Sequence, residues 1–439
     1  MTISSSLNAG VMGLNANATK LATISDNIAN SNTYGYKRVE SDFHSLVTSS
    51  NGSSYSAGGV RASTQRMIDQ AGSLIGTNNS TDLAVRGNGF LPVTTKPEVT
   101  VDNGDLSMLL TTTGSFRTDA EGFLKTENGL VLLGVPANPD GSIPSFSRDS
   151  IASLEPIQVN LSAISSEPTT EIKLGLNLPA TATEEAVIDP ASDYEHLNVE
   201  YYDNLGTTEE ITIEFRPSPS SGGIASNEWT LVLTDSATIP SSTVIGEYVV
   251  TFNDNQTAGG SLASVTSVTG GAYDPATGTV EVNVASGPIS ISIGELDTTG
   301  GLTQFGSSFR PTNISKNGSG TGTMILIEVD ENGFVYGRYD TGTSRTLYQI
   351  PLVAVSNRNG LEAQDYETYQ VTKESGSYYL WDAADGPTGE IVGYAREQSS
   401  TDVAKELTDL IQTQRAYTSN AKVIQTVDEM LQETTNIKR

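Results

Sequence analysis

The chain has no cysteine, which removes disulfides, thiolate metal ligands and any cysteine-based covalent link between copies. It has two histidines, His44 and His196, too few and too isolated for a metal cluster or a Ser-His-Asp arrangement. Aromatic residues are 7% of its 439 positions while glycines number 42, a composition of many short strands and turns over modest cores, in two or three domains. No apolar run approaches the roughly 20 residues of a membrane span, and the N-terminus lacks the basic region and long apolar run of a cleaved signal peptide. If the protein leaves the cell, a specialised apparatus must take it. The missing cysteine fits export in an unfolded state.

Basic residues are also scarce, 24 against 52 acidic, for a net charge of −28. Between Lys173 and Arg310 the only basic residue is Arg216, against eighteen Asp and Glu, so this middle stretch carries 17 of the 28 net negative charges. It predicts an acidic, hydrated face that disfavours nucleic acid and anionic membrane. The ends are nearly neutral. Residues 1–38 hold one acid and three bases, and residues 396–439 hold seven acids and six bases, so many copies could pack there with little repulsion.

What is present at those ends is a pair of apolar seams. Leu7, Leu14, Leu21 and Ile28 recur every seven residues, with Ile3, Val11, Ala18 and Ile24 beside them, the period of a narrow stripe on one helix about 40 Å long. The rest of that helix is small and polar, so its folding benefit must come from another helix laid on the seam. Val403, Leu407, Leu410, Tyr417, Ala421, Ile424 and Leu431 follow steps of three and four or their multiples, with Gln414 and Asp428 at polar breaks, and supply that partner. Two such helices make a thin pair, and neighbouring copies would have to supply the remaining contacts. A helical hairpin closed within a monomer is the plainer alternative.

The run Asn27-Ile28-Ala29-Asn30 followed by Thr33-Tyr34-Gly35-Tyr36-Lys37 resembles the N-terminal signature of the bacterial flagellar rod and hook axial proteins. A second match is Ser80-Thr81-Asp82-Leu83-Ala84-Val85-Arg86-Gly87-Asn88-Gly89-Phe90, similar to the segment that opens the first globular domain in that family. A third, Gln414-Arg415-Ala416-Tyr417 through Asp428-Glu429-Met430-Leu431, looks like its C-terminal helix. The resemblance covers the ends and the flanking domain and says almost nothing about residues 150–305. It implies a subunit of the flagellar hook, a helical homopolymer that bends while transmitting torque. It also implies partners: the distal rod, a hook cap, hook-filament junction proteins, and the flagellar type III export apparatus, with the N-terminal region as an uncleaved signal. The expected location is extracellular, and no cofactor is implied.

The expected fold is mostly β with α-helical termini, the two helices paired as an inner coiled-coil-like core and nested β domains projecting outward. Residues 1–38 and 398–439 form the helical core and 39–70 a connector, with weak strand character at Phe43 to Val47 and Val60 to Met67 and a Gly/Ser-rich stretch around 49–54. The resemblance gives that connector a part in bending. Asn-Gly pairs at Asn88, Asn103, Asn128, Asn332 and Asn359 predict hairpins. They place a first, discontinuous β domain at 71–148 and 310–395, into which 149–309 is inserted as an acidic outer β domain. That insertion has strands near Ile211 to Phe215, Trp229 to Leu233, Tyr248 to Phe252, Thr279 to Val284 and Ile289 to Ile293, arranged as a sandwich or a barrel.

An enzyme finds little to work with. Asp102-Asn103-Gly104-Asp105 and Asp330-Glu331-Asn332-Gly333 resemble calcium-loop fragments, but neither completes the twelve-residue pattern, and hairpin turns explain both. Gly318-Ser319-Gly320-Thr321-Gly322 lacks the Lys and helix of a phosphate loop and reads as a strand-connecting loop. The acid pairs Glu184-Glu185 and Glu209-Glu210 read as solvated surface, not as a glycosidase pair. The hook subunit leads. A distal rod protein shares its ends but lacks a large insertion. A secreted β-rich adhesin or polysaccharide-binding protein would use the middle domain alone and leaves the termini unexplained.

Overall fold

The computed structural model describes residues 3–47, 57–95, 107–160, 164–189, 194–240 and 243–437. The Gly/Ser stretch at 49–54 and the Asp102 to Asp105 turn lie outside the described residues. The chain divides into two compact units: Met1–Leu161 with Ile325–Arg338 and Ser344–Arg439, and Ser162–Met324 with Tyr339–Thr343.

The first unit contains both helices, α1 (Ile3–Ala29) and α2 (Val403–Ile437). Asp402 starts α2 by accepting hydrogen bonds from the Ala404 and Lys405 amides at 2.9 and 3.2 Å, which satisfies two of the donors that a helix start leaves free. Between the helices come an antiparallel hairpin, Val39–Ser45 with Val60–Arg66, and a set of short sheets. Strand Leu91–Thr95 pairs on one side with Leu130–Pro136 and on the other with Leu109–Thr111. Leu130 through Val135 are all buried, so this strand is a continuous apolar run without alternation. Two more ladders join distant parts of the chain. Glu390–Gly393 pairs with Asp82–Arg86, and Ala395–Glu397 pairs with Leu74–Gly76. Phe90, Leu110, Leu133, Val135, Val353, Tyr369 and Leu380 form the core beneath.

The second unit is two five-stranded sheets around one core. One is an antiparallel meander, Glu195–Tyr202, Thr208–Pro217, Glu228–Asp235, Val244–Phe252 and Leu262–Thr269. The other orders Thr279–Val284, Gly287–Ser292, Glu171–Leu178 and Leu302–Gln304, with Arg310–Lys316 on the free side of Glu171–Leu178. Alternation fixes which face is inside: Leu197, Val199 and Tyr201 on one strand, Ile211, Ile213 and Phe215 on the next, and Ile172, Leu174 and Leu176 across the core. The choice between sandwich and barrel thus resolves to facing sheets.

Several turn expectations need correction. The strands flanking Asn88-Gly89 belong to different sheets, so the pair is not a hairpin tip. It is a corner where Gly389 donates to the Asn88 carbonyl at 2.7 Å, and a Cβ on Gly87 would stand 3.2 Å from the Gly389 Cα. Asn359-Gly360 sits in a short 3-10 turn, Arg358–Gly360. Ser319 through Gly322 are the start of strand Ser319–Val329, not a loop. Asn128-Gly129 does close a hairpin, with Thr126 and Leu130 paired across it.

Candidate functional site at the paired termini

The two helices run antiparallel, and the stripe that joins them coincides with the apolar seam only in part, at Ile24 and Ile424. Gly10 faces Ile424 and Gly13 faces Asn420. A Cβ on either would come within 3.1 Å of the Ile424 Cγ1 or 2.8 Å of the Asn420 Nδ2. Buried on the joined faces are Ala16, Asn17, Ile24 and Asn27 of α1, and Glu406, Thr413 and Val427 of α2. Glycine lets the backbones approach where leucine would hold them apart. Of the expected seam residues, Ile424 lies in the contact against Gly10, while Leu7, Leu14, Leu21, Ile28 and Leu410 are half-buried. Val403, Leu407, Tyr417 and Leu431 remain 39%, 48%, 41% and 39% exposed.

At the end where α1 stops and α2 starts, the motif residues form a polar joint. The Asn27 amide pairs with the Val39 backbone, accepting from its N–H at 2.8 Å and donating to its carbonyl at 2.9 Å. Its nitrogen also reaches Glu406 Oε1 at 3.2 Å, and its oxygen accepts from the Tyr36 hydroxyl at 3.1 Å. Arg38 donates from Nε and Nη2 to the same Glu406 oxygen at 3.3 and 3.2 Å. One carboxylate therefore gathers the end of α1, the segment that leaves it and the first turn of α2.

A second carboxylate does the same one layer down. Glu397 Oε1 accepts from Lys37 Nζ at 2.6 Å and from the Gly72 amide at 2.6 Å, while its other oxygen accepts from the Thr112 hydroxyl. Both charged side chains are almost wholly buried, at 3% and 2% exposure, so each needs the other. Gly35 donates to the Glu397 carbonyl at 2.8 Å with φ of +76°, and a Cβ there would lie 3.0 Å from Thr113 Cγ2. Tyr34 takes the Arg396 guanidinium on its ring at 3.8 Å from the centroid. Burial, helped by the neighbouring Asp26 carboxylate, pushes the Tyr36 hydroxyl up to about 12.

Of the other motif residues, Asn30 bonds back to Asp26, Ala29 is exposed at the helix end, and Phe90 is buried in the β core. In the Ser80 to Phe90 segment, Asp82 Oδ1 accepts from Ser115 at 2.7 Å, Asn79 at 2.7 Å and Arg117 at 2.9 Å. Burial alone would raise this carboxyl, but those donors overcome it and hold it at about 2. Sequence reasoning does not single out Glu397 or Glu406. The signal for the two acids was there: a Lys and an Arg side by side in a motif without acid of its own need counter-charges if buried.

Among the described residues no group of three or more His, Cys, Asp or Glu could hold a metal ion. The His44 ring hydrogen-bonds Ser63 at 2.8 Å, on the exposed hairpin. Asp330 spends its Oδ1 on the Asn332 and Phe334 amides, at 3.0 and 2.8 Å, as a turn does.

Three family models match the chain: "Flagella basal body rod protein" over residues 7–37, "Flagellar basal body protein FlaE D2 domain" over 177–319, and "Flagellar basal body rod FlgEFG protein C-terminal" over 393–437. The flagellar hook protein FlgE of Rhizobium meliloti is 31% identical over 444 residues, covering 100% of both chains. The chain belongs to the flagellar hook protein family. The hook protein FlgE of Brucella suis is 30% identical over 446 residues at 100% of both chains, and that of Salmonella typhimurium 29% identical over 443 residues at 99% of this chain. A solved structure, Helicobacter pylori flagellar hook protein FlgE2, aligns over 74% of this chain and 99% of its own with a TM-score of 0.47 at 12% identity, too slight to bear on the fold. As a hook protein the chain is a structural, non-enzymatic component of the flagellar hook, outside the cell. Matches along the whole length, insertion included, favour this over the rod protein and the adhesin.

Proposed function

We propose that this hook protein polymerises through the seam left uncovered when α1 and α2 pair, building a bendable tube that carries torque from the rod to the filament. The observation that carries this is the mismatch between the two stripes. Mostly small and polar residues, with Ile24, Ile424 and Val427, join the helices within a chain, and the leucine-rich stripe beside them stays partly open to water. Fully burying one such Leu, Ile or Val contributes roughly 1.5 to 3 kcal/mol, and in a polymer the gain recurs in every subunit. Leu7, Leu14, Leu21, Ile28, Val403, Leu407, Leu410, Tyr417, Ile424 and Leu431 are the packing residues in this reading.

The domain scheme follows from it. Residues 1–38 and 398–439 assemble the inner core, 39–70 acts as the connector that accommodates bending, and the acidic insertion keeps the polymer hydrated. By family resemblance the distal rod, the hook cap, the hook-filament junction proteins and the type III export apparatus are its partners, and export proceeds without a cleaved signal peptide. Electron microscopy of the purified chain under polymerising conditions tests the reading. Curved tubes are expected; straight rods would favour a rod protein, and persistent monomers would contradict polymerisation through the seam.

A further inference from the structure

The second unit has 21 acidic and four basic residues, so copies of it brought side by side repel one another. Its charges are not evenly spread over the two sheets. On the meander, alternation turns Glu200, Glu210, Glu214 and Glu247 outward, because Val199, Ile211, Ile213 and Tyr248 point into the core. Glu200 and Glu210 are directly opposite in the ladder, a placement that costs stability unless a cation approaches. Among the described residues this face receives Arg216, 2.8 Å from Glu214, and Lys316, 3.8 Å from Glu200.

The other sheet turns a different face outward. Ile172, Leu174 and Leu176 point inward, so Lys173, Gly175 and Asn177 point out, and their ladder partners there are Ser315, Asn313 and Arg310. Lys173 and Arg310 are exposed and have no carboxylate within ion-pair distance among the described residues. The sandwich thus has an acidic face where Lys316, 3.8 Å from Glu200, is the one cation beside the facing glutamates among the described residues, and on its opposite side a polar face where Lys173 and Arg310 have no carboxylate partner among the described residues.

We propose that in the polymer the Lys173 and Arg310 face of one copy docks on the Glu200 and Glu210 face of the next. The inference rests on the subunit reading above. Two unlike patches on opposite sides of one domain make a head-to-tail contact, the kind that repeats along a helical polymer and does not close on itself as a dimer. The partner is a second copy of this chain. Charge complementarity sets the register of the contact and makes it salt-sensitive.

The absence of native cysteine provides a clean test. Lys173→Cys combined with Glu210→Cys, assembled and then mildly oxidised, should give a ladder of disulfide-linked multimers on a denaturing gel, and no ladder from dilute monomer. Independently, Lys173→Glu with Arg310→Glu should raise the concentration needed for assembly about tenfold at low salt. Adding Glu200→Lys with Glu210→Lys should bring it back. Tubes that form normally, give no ladder and ignore the charge reversals would overturn this contact and leave the subunit reading standing. A wild-type chain that never polymerises would strike the subunit reading itself, and this contact with it.

Discussion

Replacing Glu397 by Gln keeps the side chain's shape and removes its charge. The Lys37 ammonium then keeps neutral acceptors, the Gln70 carbonyl at 3.0 Å and the new amide oxygen, but has no counter-charge in a buried site. Breaking a buried ion pair from one side costs about 3 to 5 kcal/mol, because the remaining charge is left uncompensated. The chain has two tryptophans, Trp229 in the core of the second unit and Trp381 in the first, so each unit can be followed alone. In a Trp229→Phe background, urea unfolding read at Trp381 should show Glu397→Gln lowering the midpoint by about 1 to 2 M. In a Trp381→Phe background, Trp229 should report no change. The double substitution Lys37→Met with Glu397→Leu should recover most of the loss, since no buried charge remains. A loss below about 1 kcal/mol, or equal losses in both units, would refute the account of this joint.

Three further outcomes follow from the same geometry. Glu406→Ala removes the buried carboxylate that Arg38 and Asn27 share, leaving Arg38 the half-exposed Glu40 at 3.6 Å and Asn27 the Val39 carbonyl, so hydrogen exchange at the start of α2, from Val403 to Thr413, should speed up about 100-fold or more; unchanged protection would contradict it. Asp82 has a folded pKa held below its ordinary value, so it stabilises the first unit above about pH 4 and that stability is lost as pH falls toward about 2; Asp82→Asn should flatten the Trp381-detected stability profile across that window. Gly10→Leu drives side-chain atoms into Ile424 and should cost about 1 to 3 kcal/mol of helix pairing, while Gly10→Ser should cost less; equal effects would show that the close approach is not what joins the helices.

Much of the architecture is local and can be read locally. Alternation in Ile211 to Phe215 and Thr279 to Val284 identifies strands, and heptads of Leu and Ile identify both terminal helices, since each pattern reports which side of an element avoids water. What could not be read is pairing between distant segments. Glu397 and Glu406 are ordinary acids in the sequence and become counter-charges only once residues more than 350 positions apart meet. Asn88-Gly89 carries a hairpin signal, yet the crossing Gly389 segment makes it a corner between sheets. The residues of the helix contact are legible only in part for a similar reason. Leucine seams show where a helix can bury surface but not against which partner, while Gly10 and Gly13 carry no hydrophobic signal and still set the closest approach.

Assembly of Leu14→Asp and Leu407→Asp, each followed by sedimentation and electron microscopy, tests the central claim most directly. Both positions lie off the stripe that joins α1 to α2, so the account predicts chains whose Trp229 and Trp381 unfolding transitions match wild type and which form no tubes, because a charge buried at a subunit contact without a partner costs several kcal/mol in every repeat. Tubes of normal yield from either variant would contradict it.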